Sequence, residues 1–277
     1  MQIFDNDYSQ LDQPGITQFL FHPRKDTGST SIESLDSSVP VDDNITVNVR
    51  FHMDKNDFPN ILFFHGNGEI VSDYDDIAPV YHQNGLNFVA ADYRGYGKST
   101  GNPSASNMIK DSHIIFKHFI DWLKKNNFSG PIIVMGRSLG SAPALELAAN
   151  YSKDISGLII ESGFASTVKL LMRLGIPARD MGLTEQKGFN NLLKISNFMK
   201  PTLIIHAQND LIIPISDAEN LQSYCGARSK QFQMVPGADH NSIMMVAGKQ
   251  YFELIKAFTN KIEGKRIKKF FRKKTQT

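Results

Sequence analysis

From residue 45 onward, short runs of apolar and β-branched residues alternate with longer segments of helical character. Such runs, bounded by turn residues, are typical of strands in a parallel sheet that helices cover on both faces. The predicted strands are 45–51, 61–64, 86–91, 132–135, 158–160, 203–205 and 232–235. The predicted helices are 72–84, 105–126, 139–151, 216–224 and 242–262. The pattern therefore predicts an α/β fold with a mostly parallel central sheet of about eight strands.

The segments outside this alternation set the predicted domain boundaries. Residues 1–44 contain scattered prolines and a polar cluster at 27–38, which predicts an N-terminal extension of loops packed on the domain. Residues 45–262 form the domain, and residues 263–277 form a basic tail. The connection 163–201 is too short for a second domain, so we expect a lid-like insertion with short helices near 169–174 and 189–195, and thus a minimal cap.

Composition restricts the class of protein. With 41% hydrophobic and 21% charged residues, the chain is typical of a soluble globular protein, and no apolar stretch reaches the length of about 20 residues that spans a bilayer. Cys225 is the single cysteine, so it cannot form an internal disulfide. Residues 1–5 have neither the basic nor the apolar region of a secretory signal. These features predict a cytoplasmic location.

One short motif points to nucleophilic chemistry. The predicted strand 132–135 runs into Gly136-Arg137-Ser138-Leu139-Gly140, which is G-x-S-x-G, and a helix of small residues follows. A serine on such a strand-to-helix turn occupies a strained backbone conformation that presents its hydroxyl at the carboxyl end of the sheet. The glycines are expected because side chains there would collide with the adjacent strand or helix. Ser138 is therefore the candidate nucleophile.

A serine is a weak nucleophile unless a base activates it and a carboxylate orients that base. Asp210 lies in the loop after the predicted strand 203–205, and His240 lies in the loop after 232–235. Ser138, Asp210 and His240 thus follow three strands at one edge of the predicted sheet, in the chain order Ser, Asp, His. Glu161, at the end of strand 158–160, is the alternative candidate for the orienting acid.

An anion site is predicted upstream. Strand 61–64 ends in His65-Gly66-Asn67-Gly68-Glu69, a glycine-flanked turn before a helix, where N–H groups can meet negative charge. The N–H groups of Asn67 and Leu139 are the candidate oxyanion donors. There is no H-E-x-x-H motif and only one cysteine, so we expect no metal site. The predicted chemistry requires no cofactor.

Together with Asp92-Tyr93-Arg94-Gly95-Tyr96-Gly97-Lys98-Ser99, these motifs resemble those of the α/β-hydrolase superfamily. Within it, the chain is similar to a small group with little or no cap that includes membrane-associated esterases and relatives of protein depalmitoylases. The resemblance covers about residues 17–260. It implies Ser138 as nucleophile, His240 as base and acid, Asp210 as orienting acid, and Asn67 with Leu139 as oxyanion donors.

The expected activity is hydrolysis of a carboxylic ester or thioester through an acyl-enzyme intermediate. Acyl transfer by the same triad, and a non-catalytic membrane-associated adaptor with a hydrolase fold, are the alternatives. We expect the substrate to be a small molecule or lipid, with its acyl group bound in a pocket formed by Phe164, Leu170, Leu171 and Leu174.

The end of the chain suggests a second kind of partner. Residues 261–277 contain eight Lys or Arg and one Glu. An anionic membrane surface attracts such a cluster, and aromatic side chains can insert at the interface. The alternative is a solvated terminus. No reader of specific nucleic acid is evident. The residues predicted to contact a membrane, which would make the protein peripheral, are Lys265, Arg266, Lys268, Lys269, Phe270, Phe271, Arg272, Lys273 and Lys274.

Overall fold

The computed structural model of this chain describes residues 7–28 and 35–265. One eight-stranded sheet forms its centre. The strands are β1 (Leu35–Asp42), β2 (Ile45–His52), β3 (Asn60–Phe64), β4 (Asn87–Ala91), β5 (Ile132–Arg137), β6 (Gly157–Glu161), β7 (Thr202–Ala207) and β8 (Lys230–Val235). Their spatial order is β1-β2-β4-β3-β5-β6-β7-β8. β2 pairs antiparallel with both β1 and β4, and the remaining pairs are parallel.

Helices cover both faces of the sheet. They are α1 (Pro14–Leu20), α2 (Ala78–Gln83), α3 (Ala105–Lys125), α4 (Ser141–Asn150), α5 (Thr167–Arg173), α6 (Asn191–Asn197), α7 (Ile215–Tyr224), α8 (Ile243–Ala247) and α9 (Lys249–Ile262). Alternate residues of β3 belong to different cores: Leu62 and Phe64 pack with α1 and α3 to α7, whereas Ile61 and Phe63 pack with α2, α8 and α9. The predicted α/β architecture is confirmed.

Two predicted helices are each divided in the structure. The segment predicted as 72–84 contains a 3₁₀ helix (Val71–Tyr74) followed by α2, which begins near Pro79, a residue that suits a first turn and not a helix interior. The segment predicted as 242–262 is split into α8 and α9 at Gly248, whose φ is 51°. An α-helix cannot continue through that backbone conformation.

The N-terminal region differs most from the prediction. Residues 35–42, interpreted as part of a loop-rich extension that ends at residue 44, form edge strand β1 instead, so the predicted boundary falls inside the β1–β2 hairpin. β1 is rich in Ser and Asp, and half of its residues are exposed, so it lacks the apolar signal of an inner strand. Pro40 is tolerated there because an edge strand leaves N–H groups unpaired. Helix α1 was not predicted either.

The predicted insertion 163–201 is well packed. It contains α5, a 3₁₀ helix (Glu185–Lys187) and α6, close to the two helices expected. The carboxylate of Glu185 accepts hydrogen bonds from the N–H groups of Thr167 (3.0 Å) and Val168 (3.1 Å), at the first turn of α5. α6 begins two residues later than predicted because Asn190 has a left-handed backbone.

Candidate active site

Ser138 lies on a sharp turn between β5 and α4. Its φ is 51°, a left-handed conformation that is unfavourable for a residue with a side chain. A Cβ atom on Gly136 would lie 2.2 Å from the carbonyl oxygen of Gly140, and one on Gly140 would lie 2.0 Å from that of Phe64. Both motif glycines are therefore required by close backbone contacts with helix and strand, as expected from the sequence.

The structure brings Ser138, His240 and Asp210 together. The Oγ of Ser138 lies 2.9 Å from Nε2 of His240, and Nδ1 of His240 lies 2.7 Å from Oδ2 of Asp210. A carboxylate only accepts hydrogen bonds, so Nδ1 of His240 carries the proton and Nε2 is free to accept the hydroxyl hydrogen of Ser138. This is the proton arrangement that a histidine base requires.

Asp210 is fixed in its ionised form. Its Oδ1 accepts the N–H groups of Ile212 (3.0 Å) and Ile213 (2.8 Å). Burial alone would raise the pKa of Asp210, but the hydrogen bond and charge of His240, together with the N–H of Ile213, lower it below the usual value. A charged carboxylate is thus maintained beside the imidazole.

The alternative acid, Glu161, has other partners. Its carboxylate accepts a hydrogen bond from the hydroxyl of Tyr251 (2.5 Å) and pairs with Nε of Arg137 (3.2 Å). The structure therefore places Asp210, and not Glu161, against the ring of His240.

Asn67 and Leu139 line the same cavity as Ser138 and His240, as an oxyanion site requires. Among the hydrogen bonds in the turns, loops and caps of the described residues, none is donated by the backbone N–H of either residue. Both N–H groups therefore remain candidate donors to an anion beside the Ser138 hydroxyl.

The cavity at Ser138 has a volume of about 240 Å³, and most of its wall is apolar. Leu170 and Leu174 line it, as predicted, but Phe164 and Leu171 do not. Phe164 and Leu171 are fully buried in the core, where Phe164 packs edge-on against Phe189. On α5, only the face that includes Leu170 is turned toward the cavity. The prediction was wrong for Phe164 and Leu171 because apolar pattern alone does not separate core from pocket.

Comparisons with known proteins show the family of the chain. The sequence model of a family described as "Serine aminopeptidase, S33" matches residues 58–184. Protein bem46 of Schizosaccharomyces pombe is 30% identical over 72% of this chain and 67% of its own length. The chain belongs to the α/β-hydrolase superfamily.

Two further proteins are similar to this chain, one in sequence and one in structure. The α/β hydrolase domain-containing protein aho-3 of Caenorhabditis elegans is 32% identical over 72% of this chain, and the match spans only 56% of that relative. An esterase of Pyrococcus furiosus shares the fold with a TM-score of 0.70, at 19% identity, over 87% of this chain and 98% of its own.

Arg137 is a residue of this α/β hydrolase that the sequence patterns did not single out. Its Nη2 donates to the carbonyl oxygen of His240 (2.8 Å) and to Oδ1 of Asn241 (3.0 Å), and its guanidinium also pairs with Glu69 and Glu161. Burial alone would lower the pKa of Arg137, but these carboxylates raise it above its usual value. Arg137 thus links the turn at Ser138 to the loop of His240. It occupies a variable position of the G-x-S-x-G pattern, so the motif gave no signal for it.

Other parts of the cavity wall were also missed. Phe19, Leu20 and His22 line it from the N-terminal region, and Ile212 and Ile213 line it from the loop after β7. The sequence carries no motif in residues 19–22 that marks them as functional.

Three remaining predictions concern metals and membranes. In the part of the chain that the structure describes, there is no group of three or more potential metal ligands. No helix among residues 7–28 and 35–265 is long and apolar enough to cross a bilayer. Lys265 pairs with Glu263 at 2.6 Å, and the other predicted membrane contacts, from Arg266 to Lys274, lie outside the described residues.

We expect Arg137→Met to lower the free energy of unfolding by about 3–5 kcal/mol at neutral pH, because it leaves buried Glu161 without its cation. Burial already raises the pKa of Glu161. Its ionised form therefore costs stability above its unfolded pKa of about 4.3, and this cost disappears as the pH falls through the folded pKa. The deficit should be smaller at pH 5 than at pH 8 in urea unfolding.

Lys249→Met is the matched control, since it removes a cation from the exposed pair with Glu253. We expect a change below about 1 kcal/mol. Equal losses in the two variants, or a pH-independent deficit in Arg137→Met, would contradict the role assigned to Arg137.

Proposed function

We propose that this α/β hydrolase is a serine hydrolase that cleaves carboxylic ester or thioester bonds. The observation that carries the proposal is the continuous chain of hydrogen bonds from Ser138 Oγ through His240 to Asp210. A hydroxyl held in this way can lose its proton to the imidazole as it attacks a carbonyl carbon.

In the first half of the reaction, Ser138 Oγ attacks the acyl carbon and His240 Nε2 takes the hydroxyl proton. The negative charge that develops on the carbonyl oxygen is stabilised by the N–H groups of Asn67 and Leu139. The tetrahedral intermediate then collapses, the bond to the leaving group breaks, and His240 gives its proton to the departing alkoxide or thiolate. The acyl group remains on Ser138.

In the second half, water takes the place of the leaving group. His240 removes a proton from water as the resulting hydroxide attacks the acyl carbon, and the proton then passes to Ser138 Oγ as the carboxylic acid departs. Asp210 remains ionised throughout and stabilises the imidazolium that forms twice in the cycle. Every step uses protein groups and water only.

The cavity wall supports an apolar acyl group as part of the substrate. Its apolar lining comes from α1, α5 and the loop after β7, through Leu20, Leu170, Leu174, Ile212 and Ile213. Leu211, which precedes Ile212 in the chain, is 92% exposed and adds an apolar side chain at the surface. Such surfaces favour a hydrocarbon chain over a charged acyl group.

The first test is covalent labelling by a fluorophosphonate, measured by intact mass. We expect the wild type to gain one probe and Ser138→Ala to gain none, because only an activated serine attacks the phosphorus. Ser223→Ala, on the exposed side of α7, is the control and should be labelled like the wild type.

No labelling of a folded wild-type sample would contradict the proposal and favour the non-catalytic adaptor. If labelling succeeds, product analysis with an added alcohol separates hydrolysis from acyl transfer. Transfer of the acyl group to the alcohol in preference to water would show that the activity is acyl transfer and not hydrolysis.

A second prediction separates the two candidate acids. Asp210→Asn should lower kcat by roughly 10⁴-fold, because an amide favours the wrong tautomer of His240. Glu161→Gln should lose far less, since an amide can still accept the hydroxyl hydrogen of Tyr251. Both are measured as steady-state hydrolysis of an aryl ester. A larger loss in Glu161→Gln than in Asp210→Asn would reverse the assignment.

We further propose that the basic tail attaches the protein to anionic membranes. Each Lys or Arg near such a surface contributes about 1 kcal/mol, and the attraction weakens as salt increases. Under this proposal the protein is cytoplasmic and peripheral to the membrane.

Removal of residues 266–277 should lower co-sedimentation with phosphatidylserine vesicles and leave hydrolysis of a soluble ester unchanged within about twofold. Phosphatidylcholine vesicles are the control and should bind neither form, because they lack net negative charge. Equal sedimentation of both forms with phosphatidylserine would rule out the tail as the attachment site.

A further inference from the structure

Residues 19–26, here called the N-terminal strap, lie along the loop of the Asp92–Ser99 motif. The carbonyl oxygen of Arg24 accepts the N–H of Gly97 (2.8 Å), and Lys25 forms a parallel bridge with Gly97. The Nζ of Lys25 donates to the carbonyl oxygen of Ser99 (2.9 Å). The strap lies outside the region 58–184 that the family model matches.

The strap binds the side chain of Asn67. The N–H of His22 donates to Oδ1 of Asn67 (2.8 Å), which also accepts the hydroxyl of Tyr96 (2.7 Å). The Nδ2 of Asn67 donates to Nδ1 of His22 (2.7 Å). Because both ends of the amide are bound within the protein, the side chain of Asn67 serves to hold the backbone in place.

The same loop is held at two further points. The Nε of Arg24 donates to the carbonyl oxygen of Gly68 (3.1 Å), and its guanidinium pairs with Asp73. From the other side, the hydroxyl of Tyr93 donates to the carbonyl oxygen of His65 (2.7 Å). Strap and motif together enclose residues 66–69, the predicted oxyanion loop.

The strap also forms part of the cavity wall. Phe19 and Leu20 line the cavity at Ser138 together with His22. Leu20 is buried in the core and fixes the position of the segment, whereas Phe19 remains 40% exposed. The side chain of Phe19 is therefore in a position to contact a bound acyl chain.

We propose that the N-terminal strap completes the active site. His22 is a positioning residue that fixes the oxyanion loop through the side chain of Asn67, and Phe19 determines which acyl chains are accepted. This inference rests on the proposed hydrolase function. It adds a segment outside the matched region to the machinery that binds the substrate and the transition state.

The role of His22 is tested by His22→Ala and His22→Asn, assayed with an acetyl ester. Misplacement of an oxyanion donor lowers kcat and leaves ground-state binding intact, so we expect His22→Ala to lower kcat about ten- to a hundredfold with KM nearly unchanged. His22→Asn should restore most of the activity, because an amide oxygen can accept from Asn67 where Nδ1 does. Identical behaviour of the two variants, or an unchanged kcat in His22→Ala, would overturn the positioning role.

Amide hydrogen exchange of residues 66–71 gives a readout that does not depend on activity. Exchange should be faster in His22→Ala than in the wild type and His22→Asn. If the wild type shows no hydrolysis that depends on Ser138 while exchange responds in this way, the proposed function fails, but the contact by which His22 holds residues 66–69 is supported. Unaltered exchange in His22→Ala would overturn the positioning role of His22, whatever activity is measured.

The role of Phe19 is tested with aryl esters from acetyl to decanoyl. Phe19→Ala should lower kcat/KM about tenfold more for the longer chains than for the acetyl ester, because lost apolar contact affects mainly the chains that reach it. Leu193→Ala, which truncates an exposed leucine of α6, is the control and should change neither. A uniform change across the series, or none, would contradict the specificity role.

Discussion

The left-handed backbone of Ser138 is the constraint on which the site depends. A φ of 51° at a serine is unfavourable, and it persists because β5 and α4 hold both ends of the turn. The Cα of Gly140 approaches the carbonyl oxygen of Phe64 so closely that no side chain fits, so the turn is pressed against the end of β3. Because residues 66–69, the predicted oxyanion loop, follow β3 directly, the same contact brings them beside the Ser138 hydroxyl.

The charges behind the site form a second constraint. Arg137 joins Glu161 at the end of β6 to the carbonyl oxygen of His240, in the loop after β8. It also pairs with Glu69 beside the oxyanion loop. One buried cation therefore connects the segments that carry Ser138, His240 and Asn67. A buried cation is tolerated only with such partners. Movement of any of the three segments would remove a partner from Arg137, so their positions depend on one another.

The sequence predicts the elements and site residues whose positions follow from buried parallel strands. It does not predict those whose positions depend on exposure at an edge or on tertiary contacts. The inner strands β2 to β7 were expected, because inner strands carry apolar runs. Strand β8 was expected as well, although it is an edge strand in which partly buried and exposed residues alternate. β1 was missed because its polar residues face solvent at an edge. The juxtaposition of Ser138, Asp210 and His240 could be anticipated from the common edge of the parallel strands. The positions of Phe19 and His22 could not be anticipated, since they follow from contacts with residues distant in the sequence and leave no pattern in the chain.

The direction of α9 determines where the described chain ends relative to Ser138. α9 begins after the loop of His240 and ends at Ile262, whose side chain lies against Gly157, the first residue of β6. Ser138 follows the last residue of β5, at the carboxyl edge of the same sheet, whereas Gly157 is at the amino edge. The described chain therefore ends on the side opposite to the cavity at Ser138. No residue of α9 lines the cavity at Ser138, so the attachment proposed for the basic tail does not involve the residues that form that cavity.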